Sequence, residues 1–129
     1  MKNSGKSENE GPMHALVVED EKLMNWSLER SLAGWGIDVR PVFSGKEAVE
    51  TSRMSGFDII LLDYQLPDLN GLEVAKQIRQ TQPHAWIILI TAFQLGELKP
   101  DDGLIDGYLN KPVDLHRLRR LLSKFRTFV

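Results

Sequence analysis

Four apolar segments, separated by segments of helix length, dominate the hydrophobic pattern of the chain. Each apolar segment ends in one or two polar residues, and the segments with their endings are 15–18 with Glu19 and Asp20, 57–62 with Asp63, 86–90 with Thr91, and 108–110 with Lys111. Continuous apolar runs of this kind predict parallel strands that are buried on both faces of a sheet, because helices cover both faces. We therefore expect a sheet of parallel strands with polar side chains at its carboxyl edge.

The intervening segments show helical spacing and helix boundaries. After Asp20, apolar residues recur at intervals of three or four, and these residues are Met24, Leu28, Leu32 and Trp35. A second helix is predicted from Ser44 to near Gly56. It opens with a capping box, in which Ser44 accepts a hydrogen bond from the Glu47 amide while the Glu47 side chain reaches back.

Two further helices are predicted with ordinary boundaries, and one with an unusual sequence. A third helix follows the turn-rich loop 64–71 and ends at Pro83, and the last helix follows Pro112 with Asp114 near its N-terminus. Between them, segment 93–103 contains two glycines and a proline, and the proline alone opposes helix formation by ~3 kcal/mol. We predict a short or irregular fourth helix there.

The alternation of strands and helices predicts an α/β fold with a doubly wound, five-stranded parallel sheet. Segment 37–43 has strand character but contains Pro41, which cannot donate to a neighbouring strand and favours an edge position. An edge position for this second strand fits the order 2-1-3-4-5, the flavodoxin-like arrangement.

Composition limits the class of protein. The chain has 129 residues, 42% hydrophobic and 26% charged residues, a net charge of -2 and no cysteine, which is ordinary for one globular domain. No apolar stretch reaches the ~18 residues that a membrane span needs, and no signal peptide is evident, so we expect a cytoplasmic protein. Residues 1–12 are polar, and we expect a disordered leader or a vector-derived remnant before a single domain at 13–129.

The strand order brings three acids together. The first and third strands are neighbours in it, so Glu19, Asp20 and Asp63 are predicted to meet. Each pair of carboxylates at ~4 Å repels by ~4 kcal/mol at an effective dielectric constant of ~20, which is large against a total stability of ~5 to 15 kcal/mol. Magnesium would relieve this repulsion, because Mg²⁺ prefers oxygen ligands and retains waters that a phosphate can replace.

Taken singly, these residues have simpler interpretations, since an Asp or Thr at a strand end can cap a helix and Lys111 can be a solvated charge. Taken together, the set closely resembles the receiver domain of two-component response regulators. The resemblance covers about residues 13–129 and rests on Glu19-Asp20, Asp63, Pro67, Gly71, Thr91-Ala92, Tyr108 and Lys111-Pro112 in the expected order.

The resemblance implies a role for each matching residue. Asp63 would accept a phosphoryl group from a sensor histidine kinase or a phosphotransfer protein, and Lys111 and Thr91 would contact the phosphoryl oxygens. Thr91 and Tyr108 would form the switch that changes the output face. The ligands implied for Mg²⁺ are Glu19, Asp20, Asp63 and the backbone carbonyl of Gln65. The resemblance also implies a cis bond between Lys111 and Pro112.

Other functions remain as alternatives. A haloacid-dehalogenase-type phosphatase needs a second acid two residues after its nucleophile, where this chain has Gln65, and a flavodoxin needs a phosphate loop where this chain has Glu19-Asp20-Glu21. A phosphorylation-independent, receiver-like binding module is the serious alternative. We expect no direct nucleic-acid binding and no membrane partner. An effector domain or a homodimer partner is a possible partner. The protein is not expected to be an enzyme in the turnover sense.

Overall fold

The computed structural model describes residues 11–92 and 103–125, and they form an α/β fold. Its elements in chain order are β1 (His14–Val18), α1 (Lys22–Gly34), β2 (Asp38–Val42), α2 (Gly45–Met54), β3 (Ile59–Asp63), α3 (Gly71–Thr81), β4 (Trp86–Thr91), β5 (Gly107–Asn110) and α4 (Leu115–Ser123). The predicted alternation of strands and helices is confirmed. Residues 93–102 of the predicted irregular helix, and residues 1–10 of the predicted leader, lie outside the described residues.

The five strands are parallel and lie in the order β2-β1-β3-β4-β5. This is the predicted flavodoxin-like order, with β2 at an edge. Pro41 pairs with Val17 of β1 in that edge strand, which agrees with the position expected for a proline. Because β1 and β3 are neighbours, the segments that follow them leave the sheet side by side.

The central strands β3 and β4 are apolar up to their last residue because helices cover both of their faces. All five residues of β3 are buried. Ile59 and Leu61 pack into one hydrophobic cluster with residues of α1 and α4, whereas Ile60 and Leu62 pack into a second cluster with residues of α2 and α3. Consecutive side chains on a strand point to opposite faces, so a strand covered on both sides needs apolar residues at every position.

Side-chain caps define the starts of α2 and α3. Ser44 Oγ accepts a hydrogen bond from the Glu47 amide at 3.1 Å, as predicted for α2. The Glu47 side chain reaches one residue further back than expected and accepts from the Phe43 amide at 2.9 Å. Asn70 caps α3 in the same way, accepting from the Glu73 amide at 2.9 Å. Among the described residues, no helix is long and apolar enough to cross a bilayer.

Candidate functional site

Four polar residues that were predicted to converge do lie at one edge of the sheet. Glu19 follows β1, Asp63 ends β3, Thr91 ends β4 and Lys111 follows β5. All four strands are parallel, so these residues share the carboxyl edge. The site is therefore built from segments that are far apart in the sequence and are joined only by the fold.

Three carboxylates form the centre of the site. One carboxylate oxygen from each of Glu19, Asp20 and Asp63 lies within 4.8 Å of the others. Glu19 and Asp63 are 1% and 2% exposed, respectively, whereas Asp20 is at the surface. The cluster therefore consists of two buried acids and one acid that borders solvent.

Lys111 supplies the positive charge beside these acids. Its Nζ lies 3.0 Å from Asp63 Oδ2 and 3.6 Å from Glu19 Oε1. The backbone amide of Lys111 donates to the Thr91 carbonyl at 2.9 Å, which holds the residue at the end of β4. The bond between Lys111 and Pro112 is cis, as the family resemblance implied.

The charges of the site change the acidity of two side chains. Burial raises the pKa of Glu19 to about 7, and the Asp63 carboxylate adds to the rise, while the Glu21 amide and the Lys111 ammonium oppose it. Burial acts to lower the pKa of Lys111, but its hydrogen bond to Asp63 and the charges of Asp63 and Glu19 outweigh that effect, and the pKa is raised. Lys111 is thus held as a cation, whereas Glu19 bears an unfavourable buried charge.

The two oxygens of Glu19 differ in their surroundings. Oε2 accepts a hydrogen bond from the Glu21 amide at 3.0 Å. Oε1 is buried and has no hydrogen-bond partner among the described residues, although the Lys111 ammonium lies 3.6 Å away. A buried carboxylate oxygen without a donor, next to two further carboxylates, fits the hard oxygen set that Mg²⁺ prefers.

The loop after β3 folds tightly against Asp63. The Gln65 amide donates to Asp63 Oδ1 at 3.1 Å, so the Gln65 backbone lies beside the acid. The Gly71 amide donates to the Tyr64 carbonyl at 2.6 Å. A Cβ atom at Gly71 would lie 2.8 Å from the Asp63 carbonyl and 2.9 Å from Leu89 Cδ1, so this position requires glycine. The role of the Gln65 carbonyl as a metal ligand stays a prediction.

Asp68, in the same loop, was not identified from the sequence. Its carboxylate accepts hydrogen bonds from the amides of Gly45 and Lys46 at 2.9 and 2.8 Å, and so binds the N-terminus of α2. Slight burial acts to raise the pKa of Asp68, but these backbone donors outweigh it and lower the pKa. The partners are more than 20 residues away in the sequence, so no local pattern could have indicated them.

Asn25 on α1 was also missed. It is 1% exposed, and its side-chain amide donates to the backbone carbonyls of Glu19 and Val42, each at 2.9 Å. A signal was present in the sequence, because position 25 lies on the same helix face as the buried Leu28 and Leu32. A polar residue at an apolar position of an amphipathic helix indicates a buried polar contact.

The residues of the predicted switch occupy β4 and β5. Thr91 is buried at the end of β4, and its carbonyl accepts from the Lys111 amide. Tyr108 is half-buried on β5, where it packs against the cluster of α2 and α3, and it pairs with Leu89 in the sheet register. The two residues thus belong to neighbouring strands, and their switching role stays a prediction.

Comparison with known proteins agrees with this arrangement. The family model described as response regulator receiver domain matches residues 15–123. The sensor histidine kinase AtsR of Burkholderia thailandensis is 35% identical over 120 residues, which cover 89% of this chain and 20% of AtsR. The chain likewise spans 26% of the transcriptional regulatory protein ZraR of Salmonella typhimurium, so it corresponds to about a quarter or less of the length of these two relatives.

Solved receiver structures superpose closely. The receiver domain of the sensor histidine kinase PA1611 from Pseudomonas aeruginosa, solved with a magnesium ion in its active-site cleft, has a TM-score of 0.78 and 31% identity, covering 88% of this chain and 97% of that one. The Thermotoga maritima response regulator TrrA, solved in complex with the histidine kinase ThkA, has a TM-score of 0.79 and 29% identity, covering 88% and 98%.

The sheet order, the acidic cluster with its lysine and the family match over most of the chain lead to one assignment. A receiver domain is not a classical turnover enzyme, which agrees with the expectation from the sequence. The chain belongs to the response regulator receiver domain family of two-component signalling.

Proposed function

We propose that this receiver accepts a phosphoryl group on Asp63 from a phosphohistidine of a sensor histidine kinase or a phosphotransfer protein. The observation that supports the proposal best is the contact of a buried aspartate with an ammonium group inside an acidic cluster. Asp63 Oδ2 lies 3.0 Å from Lys111 Nζ, and Asp63 shares the 4.8 Å cluster with Glu19 and Asp20. The histidine kinase bound to TrrA supports the class of partner.

Magnesium is the cofactor in this proposal. Glu19, Asp20, Asp63 and the backbone carbonyl of Gln65 would hold it, and the unpartnered Glu19 Oε1 supports this ligand set. The magnesium ion in the cleft of the PA1611 receiver supports the choice of metal. When bound, Mg²⁺ supplies positive charge that offsets the carboxylates and the incoming phosphoryl oxygens.

The side chains of the site then perform positioning and charge neutralisation. Asp63 is held by two contacts, with Lys111 at Oδ2 and with the Gln65 amide at Oδ1, so its carboxylate is fixed before the donor arrives. A carboxylate oxygen of Asp63 forms the new bond to phosphorus as the bond between phosphorus and the donor imidazole nitrogen breaks, and that nitrogen keeps the electron pair.

The same groups act on the product. The Lys111 ammonium pairs with an oxygen of the transferred group, and the Thr91 hydroxyl donates to another. Water later hydrolyses the acyl phosphate and restores the Asp63 carboxylate. The domain therefore returns to its starting state after one cycle of signalling.

Phosphorylation adds about -1.5 to -2 charges at one point of the domain. We propose that Thr91 and Tyr108 respond to this charge and alter the face formed by β4 and β5, which an effector domain or a homodimer partner reads. The relatives AtsR and ZraR support such an arrangement, since in both the matched region is part of a longer protein. Family membership is also the basis on which we propose a cytoplasmic location.

Intact-mass measurement after incubation with acetyl phosphate and Mg²⁺ tests the proposal. The wild type should gain the mass of one phosphoryl group, whereas Asp63→Asn, or the wild type in EDTA, should gain none. Asp58→Asn is the matched control, because Asp58 directly precedes β3 at the opposite edge of the sheet, and it should behave like the wild type. An equal gain on Asp63→Asn would overturn the assignment of the phosphoacceptor. No gain on the wild type would favour a phosphorylation-independent binding module.

A further inference from the structure

Asn25 is a buried amide that joins α1 to the ends of β1 and β2. Its Nδ2 donates to the Glu19 and Val42 carbonyls at 2.9 Å each and lies 3.5 Å from the Val17 carbonyl. The residue is 1% exposed. One side chain therefore contacts three backbone carbonyls next to the acidic cluster.

These contacts constrain the residue that follows β1. The pairing of β1 with β2 ends at Val18 and Val42, and beyond it the Glu19 amide donates to the Val42 carbonyl at 3.2 Å. Because Asn25 binds the Glu19 carbonyl, both backbone polar groups of Glu19 are bonded. The backbone of Glu19 is thus fixed on both sides of its Cα atom, and the direction of its side chain towards Asp63 follows from that.

The amide also has a cost. Asn25 Oδ1 is buried and has no hydrogen-bond partner within 11–92 and 103–125. Leaving a buried amide oxygen unpaired opposes folding. An apolar side chain of similar size, next to Leu28 and Leu32 on the same face, would avoid that cost but would leave the Glu19 carbonyl without its Asn25 donor. The contacts of Nδ2 therefore matter for something other than the packing of α1.

We infer that Asn25 is a positioning residue that sets the affinity of the acidic cluster for Mg²⁺ by holding Glu19, and with it Asp20, in place. Asn25 does not itself bind the ion. The inference rests on the proposed function, because it assumes that these acids hold the metal. Partners that orient metal ligands in this way commonly change metal affinity by about 10- to 100-fold when they are removed.

Two variants test the inference, Asn25→Leu and Asn25→Ala, because both remove the Nδ2 donor. The alanine variant is used if the larger leucine prevents folding. Gln82→Leu is the matched control. Gln82 is also a buried amide, and its Nε2 donates to the Ser52 and Ser55 carbonyls at 2.7 Å each, but it lies after α3 at the opposite edge of the sheet. Titration calorimetry with MgCl₂ should give about tenfold weaker binding for the Asn25 variants and unchanged binding for Gln82→Leu.

A second measurement does not depend on the metal. The Glu21 amide donates to Glu19 Oε2, so its hydrogen exchange in EDTA, followed by NMR, reports the position of that carboxylate. After correction for any change in global stability measured by urea unfolding, the Glu21 amide should exchange faster in the Asn25 variants than in the wild type. Gln82→Leu should leave this exchange rate unchanged.

The outcomes separate the inference from the proposed function. If the wild type binds Mg²⁺, two results would overturn the inference alone. The first is equal Mg²⁺ affinity in the Asn25 variants, and the second is a loss of Mg²⁺ affinity in Gln82→Leu as large as that in the Asn25 variants. A wild type without Mg²⁺ affinity would overturn the proposed metal site and the inference with it. Weaker binding with faster exchange at Glu21, confined to the Asn25 variants, would support the inference.

Discussion

Replacing Glu19 with glutamine should stabilise the metal-free domain at pH 8 and have little effect at pH 4.5. Burial raises the pKa of Glu19 from 4.5 to about 7, so the folded state binds this proton more tightly than the unfolded chain does. Between pH 4.5 and about pH 7 the folded state holds a proton on Glu19 that the unfolded chain has released. The free energy of unfolding therefore falls as the pH rises through this window, and the loss is complete above about pH 7.

The size of the effect follows from the same two values. A rise in the pKa of Glu19 from 4.5 to about 7 corresponds to about 3 kcal/mol of lost stability once the group is ionised. Glu19 is 1% exposed, so solvent provides little relief of its charge. Against a typical domain stability of ~5 to 15 kcal/mol this loss is readily measured. Glutamine has a similar shape and no charge, so it removes the penalty.

Urea unfolding in EDTA, followed from pH 4.5 to 8.5, measures the prediction. The wild type should lose stability across the window and regain it with excess Mg²⁺, because the metal favours the ionised acid. Glu19→Gln should show neither the loss nor an equal gain with Mg²⁺. Glu50→Gln, on the exposed face of α2, is the control and should follow the wild type. A Glu19→Gln variant that keeps the wild-type pH slope, or that is less stable at pH 8, would refute the reasoning.

Three further predictions concern the surroundings of Asp63. Lys111→Met removes the ammonium 3.0 Å from the acid and should slow phosphorylation by acetyl phosphate by about 10²-fold, measured by intact mass against time. Asp68→Ala removes two backbone hydrogen bonds at the start of α2 and should cost about 1 to 2 kcal/mol in urea unfolding at pH 7. Because the pKa of Asp68 is lowered, the stabilisation by its carboxylate should be fully present at pH values above the ordinary aspartate pKa. It should be lost as the pH falls through the lowered pKa of Asp68, so the stabilities of Asp68→Ala and the wild type should converge at that acidic pH. Gly71→Ala should destabilise the domain by more than about 2 kcal/mol, since its Cβ would lie 2.8 Å from the Asp63 carbonyl, whereas Gly34→Ala, with no described atom within 4 Å of the new Cβ, should not destabilise it.

The strands and the acidic cluster could be predicted from the sequence because they depend on local patterns and one topological rule. Strands covered on both faces are apolar without interruption, as β3 is, so their ends stand out where a polar residue follows. Pro41 favoured an edge position for β2, which fits the order 2-1-3-4-5, and β1 and β3 are neighbours in that order. The proximity of Glu19 to Asp63 follows from this order alone.

Contacts between elements that are distant in the sequence could not be predicted. Asp68 lies in a loop, and nothing in its neighbourhood indicates that it binds the start of α2. Asn25 gives a weak signal, as a polar residue on an apolar helix face, but its partners at the ends of β1 and β2 depend on how α1 packs. The capping box was identified correctly at Ser44, yet the actual partner of Glu47 is the amide of Phe43, because helix capping patterns do not specify the backbone geometry before the cap.

The residues that pack the sheet and the residues that line the acidic cluster are different residues. β3 shows this most clearly, because its side chains up to Leu62 fill the two hydrophobic clusters while Asp63 alone enters the site. Exposed helix surfaces away from the caps can therefore accumulate mutations without loss of either the fold or the chemistry. Duplicated copies of such a gene can diverge in the proteins they recognise while the acidic cluster, and with it the proposed phosphorylation reaction, is inherited unchanged.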